Sequence, residues 1–363
     1  MKILVLNYEF PPIGGGGGQA AADLCRALTD RGHELRVITS HGPGVEKKEL
    51  RHGCQVIRVP VGRKTAARAS FFSMLRYIVG ALFPALKWIR RWKPDAMHVH
   101  FAVPTGALAW FLHLLTGTPY LLTAHLGDVP DGVPEKTGRW FRWIMPFTPP
   151  IWRSAGKVVA VSQFTRQLAL QHYDVDIEVI PNGVSLKPSQ PIQLQSPARL
   201  LFAGRFQPQK NLLFLIEALN QIRDLDWDCV LIGDGPQREK IEMRIRDHRL
   251  QDRINLTGWI KPEAVDDWMD RSDILVMPSL SEGLPVVGVQ ALARGLALIV
   301  NRAGGLGELV DQGVNGRSCE VGDESCFIDS LRWCLTDLAR LTKLREHSLV
   351  KANEYDIQRI AGA

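Results

Sequence analysis

Short apolar runs alternate with helix-length segments along almost all of the 363 residues, and they do so in two rounds. The first round has runs rich in Ile, Val and Leu at 2–6, 34–39, 95–100, 119–123, 157–161 and 178–180. The second has them at 199–203, 229–232, 253–256, 274–277 and 297–300. Runs this short without polar alternation fit strands covered on both faces, and the intervening helices make the sheets parallel. Between the rounds, Pro181, Asn182 and Gly183 lead into Lys187, Pro188, Ser189, Gln190 and Pro191, a linker composition. The pattern predicts an α/β fold of two Rossmann-like parallel-sheet domains, 1–185 and 193–340, each of ordinary domain size.

Charge is divided unevenly between the two rounds. Residues 1–185 carry 22 basic and 13 acidic groups, a balance of +9, whereas 186–363 carry 22 and 25, a balance of −3. Between Glu49 and Asp95 there is no acid, while Arg58, Arg63, Lys64, Arg68, Arg76, Lys87, Arg90, Arg91 and Lys93 contribute nine cations among Phe71, Phe72, Tyr77, Phe83, Trp88 and Trp92. Arg139, Trp140, Phe141, Arg142, Trp143 and Arg153 continue this chemistry. Basic segments with interleaved aromatics suit an anionic membrane surface, and with no nucleic-acid motif in the chain that partner is not expected. The apolar start at Ile3 ends by Leu6, too short for a signal peptide. The window 77–86 lies between Arg76 and Lys87, too short to span a bilayer. A cytoplasmic protein, peripheral on the inner face of a membrane, is the expectation. The six cysteines lack C-x-x-C spacing and read as reduced core residues.

In open parallel sheets, ligands collect where the strands end, so the chemistry belongs in the loops that follow them. After the first strand come Pro11, Pro12, Ile13 and the five glycines 14–18. Lacking Cβ atoms, Gly15, Gly16 and Gly17 let a phosphate reach the N–H groups at the positive end of the next helix. The loop after 199–203 holds Gly204, Arg205 and Lys210. Cations are unfavourable at a helix start, which points Arg205 and Lys210 toward a diphosphate whose charge grows as its bond to a sugar breaks. The loop after 274–277 sets Glu282 at a strand mouth, with the amides of Gly283, Leu284 and Val286 aimed at an anion. A dinucleotide fingerprint can be forced onto Gly16, Gly18 and Ala21, making an NAD-dependent dehydrogenase one rival. However, Glu34 follows Gly18 by only 16 residues, short of the usual ~20.

These motifs together resemble the GT-B glycosyltransferases of family 4 over almost the full length. The likeness rests on the glycine loop, Gly32-His33, His98 and His100, Thr123-Ala124-His125, Val161-Ser162, Pro181-Asn182-Gly183, Gly204-Arg205 with Lys210, Gly233-Asp234-Gly235-Pro236, and Gly304-Gly305 with Glu308. The resemblance implies two domains facing a central cleft, with a C-terminal helix at 341–363 returning to the first. It implies a retaining enzyme that moves a sugar from a UDP- or GDP-type nucleotide diphosphate sugar to a glycan or lipid-linked acceptor, with no cofactor. It assigns Gly16 to the diphosphate, Arg205 and Lys210 to charge neutralisation, and His125 and Glu282 to the transferred sugar. The family's second acid, which binds ribose, falls on position 290, here Gln290, which lacks the charge and second acceptor oxygen of a carboxylate. Pro285 stands where many members have glycine and removes one N–H donor. A sugar-nucleotide epimerase and a binding protein that has lost turnover are further alternatives, the second argued from Gln290 alone.

Two arrangements imitate metal sites. His98 and His100 share a strand face, but two ligands do not make a site. Asp174 with Asp176, and Asp224 and Asp226 before Asp228, imitate the paired aspartates of metal-dependent glycosyltransferases, yet precede strands where ligand loops follow them. No metal is expected, which leaves Arg205 and Lys210 to supply the positive charge.

Overall fold

The computed structural model describes residues 1–63, 70–133, 143–186 and 192–363. Lys64, Arg68, Arg139, Trp140, Phe141, Arg142 and the linker residues 187–191, all named above, lie outside this set. The chain divides into two compact units, Met1–Gly183 with Ile357–Ala363, and Val184–Asp356.

The first unit is built on eight strands: β1 (Lys2–Asn7), β2 (Glu34–His41), β3 (Lys48–Arg51), β4 (Cys54–Pro60), β5 (Ala96–His100), β6 (Tyr120–Ala124), β7 (Lys157–Ala160) and β8 (Glu178–Val179). Their order is β3-β4-β2-β1-β5-β6-β7-β8. All neighbours are parallel except β3 and β4. The run-and-helix pattern above contains neither β3 nor β4, because they form a hairpin with no helix between them. Arg51 pairs with Cys54 across His52 and Gly53, whose φ angles of 49° and 77° fit the two-residue turn that right-twisted strands prefer.

Helix α1 (Gly16–Asp30) follows β1, and α2 (Phe71–Trp92) is capped by Ser70, whose hydroxyl accepts from Ser73 N–H. α2 buries one stripe, Tyr77, Ala81, Ala85, Ile89 and Trp92, at the three- and four-residue spacings that keep side chains on one face. That stripe joins Leu4, Leu6, Met97, Val99 and Leu122 in the main core. The apolar window 77–86 is thus part of a 22-residue helix that is long and apolar enough to cross a membrane by length and composition. Helix α3 (Ala107–Thr116) packs beside it. Arg58 and Arg63, expected among the surface cations, are buried. Arg58 donates to the carbonyls of Phe10 and Pro11 and pairs with Glu49, because the loop after β1 leaves carbonyls inside that need a donor.

The second unit has six parallel strands, β9 (Ala198–Ala203), β10 (Trp227–Ile232), β11 (Ile254–Gly258), β12 (Ile274–Met277), β13 (Ala297–Asn301) and β14 (Gly316–Cys319), in the order β11-β10-β9-β12-β13-β14. Helices α4 (Val286–Ala293) and α5 (Leu338–Ala352) pack together here. This corrects the expectation that 341–363 returns to the first domain. Buried Arg345 of α5 pairs with Asp273 and donates to Gly295 O, which ties the helix to the second unit. Only from Ile357 does the chain rejoin the first unit, where Ile357 and Ile360 pack on Ala27 of α1. The cysteine expectation is also corrected for one pair. Cys319 and Cys326 form a disulfide, since the end of β14 and the first turn of helix Glu324–Leu335 bring their Cα atoms to 5.8 Å. Cys25, Cys54, Cys229 and Cys334 are free and buried.

Candidate active site

In each sheet the strand order reverses at one point, and the predicted site residues gather there. In the first unit the reversal lies between β1 and β5, and in the second between β9 and β12.

In the first unit the chain leaves β1 at Asn7 and reaches α1 through Gly14, whose φ of +103° favours glycine. Gly15 caps α1 with no side chain, and the first turn has no acid. Gly16 and Gly17 begin the helix, so their amides belong to the set that a helix leaves without internal partners. The amide of Gly15 donates to the Glu9 carboxylate at 2.9 Å. Gly17 must be glycine for a second reason: a Cβ there would stand 2.7 Å from the Phe101 ring.

That ring belongs to a row. Phe101 stacks on His125 with centroids 4.3 Å apart, His125 lies 5.8 Å from His100, and His100 stacks on His98 at 4.5 Å. His98 and His100 share a face of β5, and His125 follows β6, so neighbouring strand ends set this spacing. His98 Nε2 is 2.9 Å from the Thr123 hydroxyl, while both ring nitrogens of His100 and Nε2 of His125 are buried without a partner among the described residues. Burial pushes the pKa of His98 and His125 down to about 4 and that of His100 well below the usual value, so all three rings are neutral at pH 7.

Asp128 fixes this row from behind. One carboxylate oxygen accepts from Ala102 N–H and the other from His125 N–H, both at 2.8 Å. Burial pushes the carboxyl up to about 7, against the downward pull of those bonds. Phe101, Asp128 and Glu9 join the site without being among the residues predicted for it. An Asp three residues beyond His125 has the spacing of a helix-capping residue and could have signalled its role.

In the second unit, Lys210 ends the turn Pro208–Lys210 after β9, and its Nζ pairs with Glu282 from the loop after β12. The two loops are laced together by Leu280 N–H donating to Gln209 O at 2.8 Å and by Gln209 Nε2 donating to Ser281 O. Glu282 is 7% exposed, and its carbonyl accepts from Gly305 N–H. Among the described residues Arg205 makes no ion pair, whereas Lys210 has one. The glycines of Gly233-Asp234-Gly235 are steric requirements. A Cβ at Gly233 would fall 1.9 Å from Gly204 O and one at Gly235 2.4 Å from Phe206 O, so this loop lies directly on the backbone carrying Arg205. Pro285 caps α4, Gly283 and Leu284 precede it, and Val286 begins it. Gln290, half-buried, lies one turn below Val286 on the same face. The structure thus brings Lys210 and Glu282 into contact, and places Gly15, Gly16, Gly17 and His125 in the other unit.

Two of the aspartates have other partners. Asp224 binds Arg332 through both oxygens, Asp228 does the same with Arg199, and Asp174 and Asp176 are exposed in a turn before β8.

Both halves match family models of known description: residues 14–188 that of Glycosyltransferase Family 4, and residues 197–337 that of glycosyl transferases group 1. An uncharacterized glycosyltransferase of Methanocaldococcus jannaschii is 29% identical over 88% of this chain and 84% of its own length. Among solved structures, a sucrose-phosphate synthase from Thermosynechococcus elongatus superposes with a TM-score of 0.87 at 21% identity, covering 99% of this chain and 96% of the other. Anabaena HepE, solved in complex with UDP-glucose, does so with a TM-score of 0.77 at 19% identity, covering 100% and 97%. Two parallel sheets with their loop sites at the reversals, matched in this way, define a glycosyltransferase of the GT-B fold whose first half fits the family 4 model. It is therefore an enzyme that transfers a sugar, and the likenesses do not favour the dehydrogenase and epimerase readings.

Proposed function

We propose that this enzyme moves a hexose from a UDP- or GDP-type nucleotide diphosphate sugar to a lipid-linked or glycan acceptor. Transfer retains the anomeric configuration, requires no divalent metal, and takes place on the cytoplasmic side of an anionic membrane. The observation that carries this reading is the Lys210–Glu282 pair, held by the laced loops beside Arg205. A diphosphate arriving at Arg205 offers Lys210 a partner of higher charge than one carboxylate. Exchange of Lys210 onto the phosphate frees the Glu282 carboxylate to accept from sugar hydroxyls. As the bond from the anomeric carbon to the phosphate oxygen breaks, negative charge grows on the leaving phosphate, where two cations stabilise it more than they stabilise the bound donor. The leaving oxygen then takes the acceptor proton on the same face, which yields retention. The resemblance assigns His125 to the sugar. Its imidazole is neutral, so it can hydrogen-bond a hydroxyl without repelling positive charge on the ring. Gln290 would hold ribose by accepting one hydrogen bond and donating another.

Labelled UDP- and GDP-sugars offered with membrane lipids or soluble glycans, with and without EDTA, test the reading. Transfer that survives EDTA, with product of unchanged anomeric configuration, is expected. Activity lost in EDTA and restored by Mn²⁺ would return the aspartates to consideration, and an inverted product would remove the leaving-phosphate mechanism.

A further inference from the structure

The first unit contains a cavity of about 290 Å³ between α2, α3 and the segment 144–151. Ile78, Val103, Trp110 and Ile151 line it, and among the described residues of its walls Thr148 bears the single hydroxyl. The Thr148 hydroxyl is already engaged, donating to Met145 O and bonded to Tyr173. A peptide or sugar entering this space would leave its polar groups unpaired, which is costly, so the cavity accepts only hydrocarbon. Its volume lies at the small end of the ~300–1,000 Å³ of ordinary ligand pockets and suits one chain, not a ring system.

The mouth carries Phe71, Leu75, Phe111 and Phe147, which are 49%, 50%, 42% and 75% exposed. Large apolar side chains gathered around one opening form a patch of the kind that marks a binding surface. The exposed polar groups of α2 are cationic: Arg76 lies within the apolar half, and Lys87, Arg90 and Arg91 follow toward its C-terminus. No acid occurs in 51–94. The far wall leads to the candidate active site. Val103 and Pro104 face the cavity, while Phe101, two residues before Val103, stacks on His125. Asp128 binds the amides of both Ala102 and His125, so one carboxylate ties the wall to the site.

We infer that this cavity receives the hydrocarbon chain of a lipid-linked acceptor whose headgroup is anionic. The inference rests on the reading of the acceptor as lipid-linked. The chain enters past Phe111 and Phe147, the headgroup meets the cations of α2, and the wall at 101–104 sets the distance from chain to reacting hydroxyl.

Calorimetric titration with hexyl, octyl, decyl and dodecyl phosphate, below their micelle concentrations and with inorganic phosphate as reference, tests this. The expected result is about fourfold tighter binding per added methylene until the cavity is full. Ala107→Phe, which fills the cavity from its wall, should abolish the gain with chain length while the melting temperature holds. Phe111→Ser, at the half-exposed mouth, should weaken every alkyl phosphate by a similar factor, about tenfold, and leave the gain per methylene intact. Equal affinity for all chains in the unmodified protein overturns the inference, as does an unaltered chain-length series in Ala107→Phe. Sugar incorporation into a lipid extract of cell membranes reads the acceptor separately. Inhibition by decyl phosphate that is relieved by added lipid acceptor in the unmodified enzyme, together with reduced incorporation in Ala107→Phe, supports the assignment. Decyl phosphate that binds in the cavity yet leaves incorporation unchanged overturns the acceptor as occupant, while the hydrocarbon site stands.

Discussion

Lys210 and Glu282 come from loops 72 residues apart and meet because β9 and β12 are neighbours, a pairing that spacing along the chain could not reveal. Their candidacy was nevertheless legible, because each stands in a loop after a strand, with glycine close by. Removing a cation that acts on the leaving phosphate should cost turnover, so Arg205→Ala and Lys210→Ala are each expected to lower kcat by roughly 10²–10³. Steady-state kinetics with normal turnover in both would remove the clamp. Gln290 belongs to binding instead. Gln290→Ala should raise donor KM by ~0.5–1.5 kcal/mol of lost neutral hydrogen bonding and alter kcat less, whereas Glu282→Gln should act mainly on kcat. Gln290→Glu that lowers donor KM would show that the amide weakens ribose binding, whereas an unchanged or raised KM would make Gln290 a working member of the site. Phe101 was not legible in this way, since its role depends on ring stacking, and of Asp128 only the capping of His125 was, since its second bond joins a segment 26 residues away.

At the scale of elements, α2 shows why a basic, aromatic stretch could be noticed but not sorted. Its sequence contains both faces, and only packing separates the buried Tyr77–Ala81–Ala85 stripe from the exposed Phe72, Leu75, Val79 and Phe83. Packing also separates buried Arg58 and Arg63 from the exposed Arg76, Lys87, Arg90, Arg91 and Lys93. An exposed apolar stripe running into a cationic turn is the pattern of a helix lying in a membrane interface. Sedimentation with vesicles containing anionic lipid should show binding that weakens as salt rises, since each exposed Lys or Arg near such a surface contributes about 1 kcal/mol. Lys87→Glu with Arg90→Glu should abolish it, and Phe72→Ser with Phe83→Ser should reduce it at every salt concentration. No sedimentation at low salt would remove the membrane reading. The β3–β4 hairpin escaped notice for a simpler reason: the alternation that reveals strand-helix units does not register two strands joined by two residues.

The two units should differ in their response to acid. His98, His100 and His125 are held neutral by burial, with folded pKa values of about 4 for His98 and His125 and well below the usual value for His100, against about 6.5 when unfolded. Their contribution to stability is complete above pH 6.5 and is lost as pH falls toward 4, at about 1.4 kcal/mol per pKa unit for each ring. Asp128, raised to about 7, acts with the opposite sign over pH 7 to 4, but it is one group against three. Calorimetry should therefore show the first unit's transition falling between pH 7 and 5, less so in His100→Gln, and an unchanged transition would contradict the neutral row. That shift labels the transitions and permits a test of donor placement. Arg205, Lys210 and Glu282 all lie in 184–356, so UDP or GDP at 100 times its Kd should stabilise that unit by ~2.7 kcal/mol. For a domain of this size the gain corresponds to roughly 5–11 °C in its melting temperature. The shift should vanish in a variant carrying both Arg205→Ala and Lys210→Ala. A shift confined to the acid-sensitive transition, or one that survives in that double variant, would place the diphosphate on the glycine turn of the first unit and away from the Arg205–Lys210 loop.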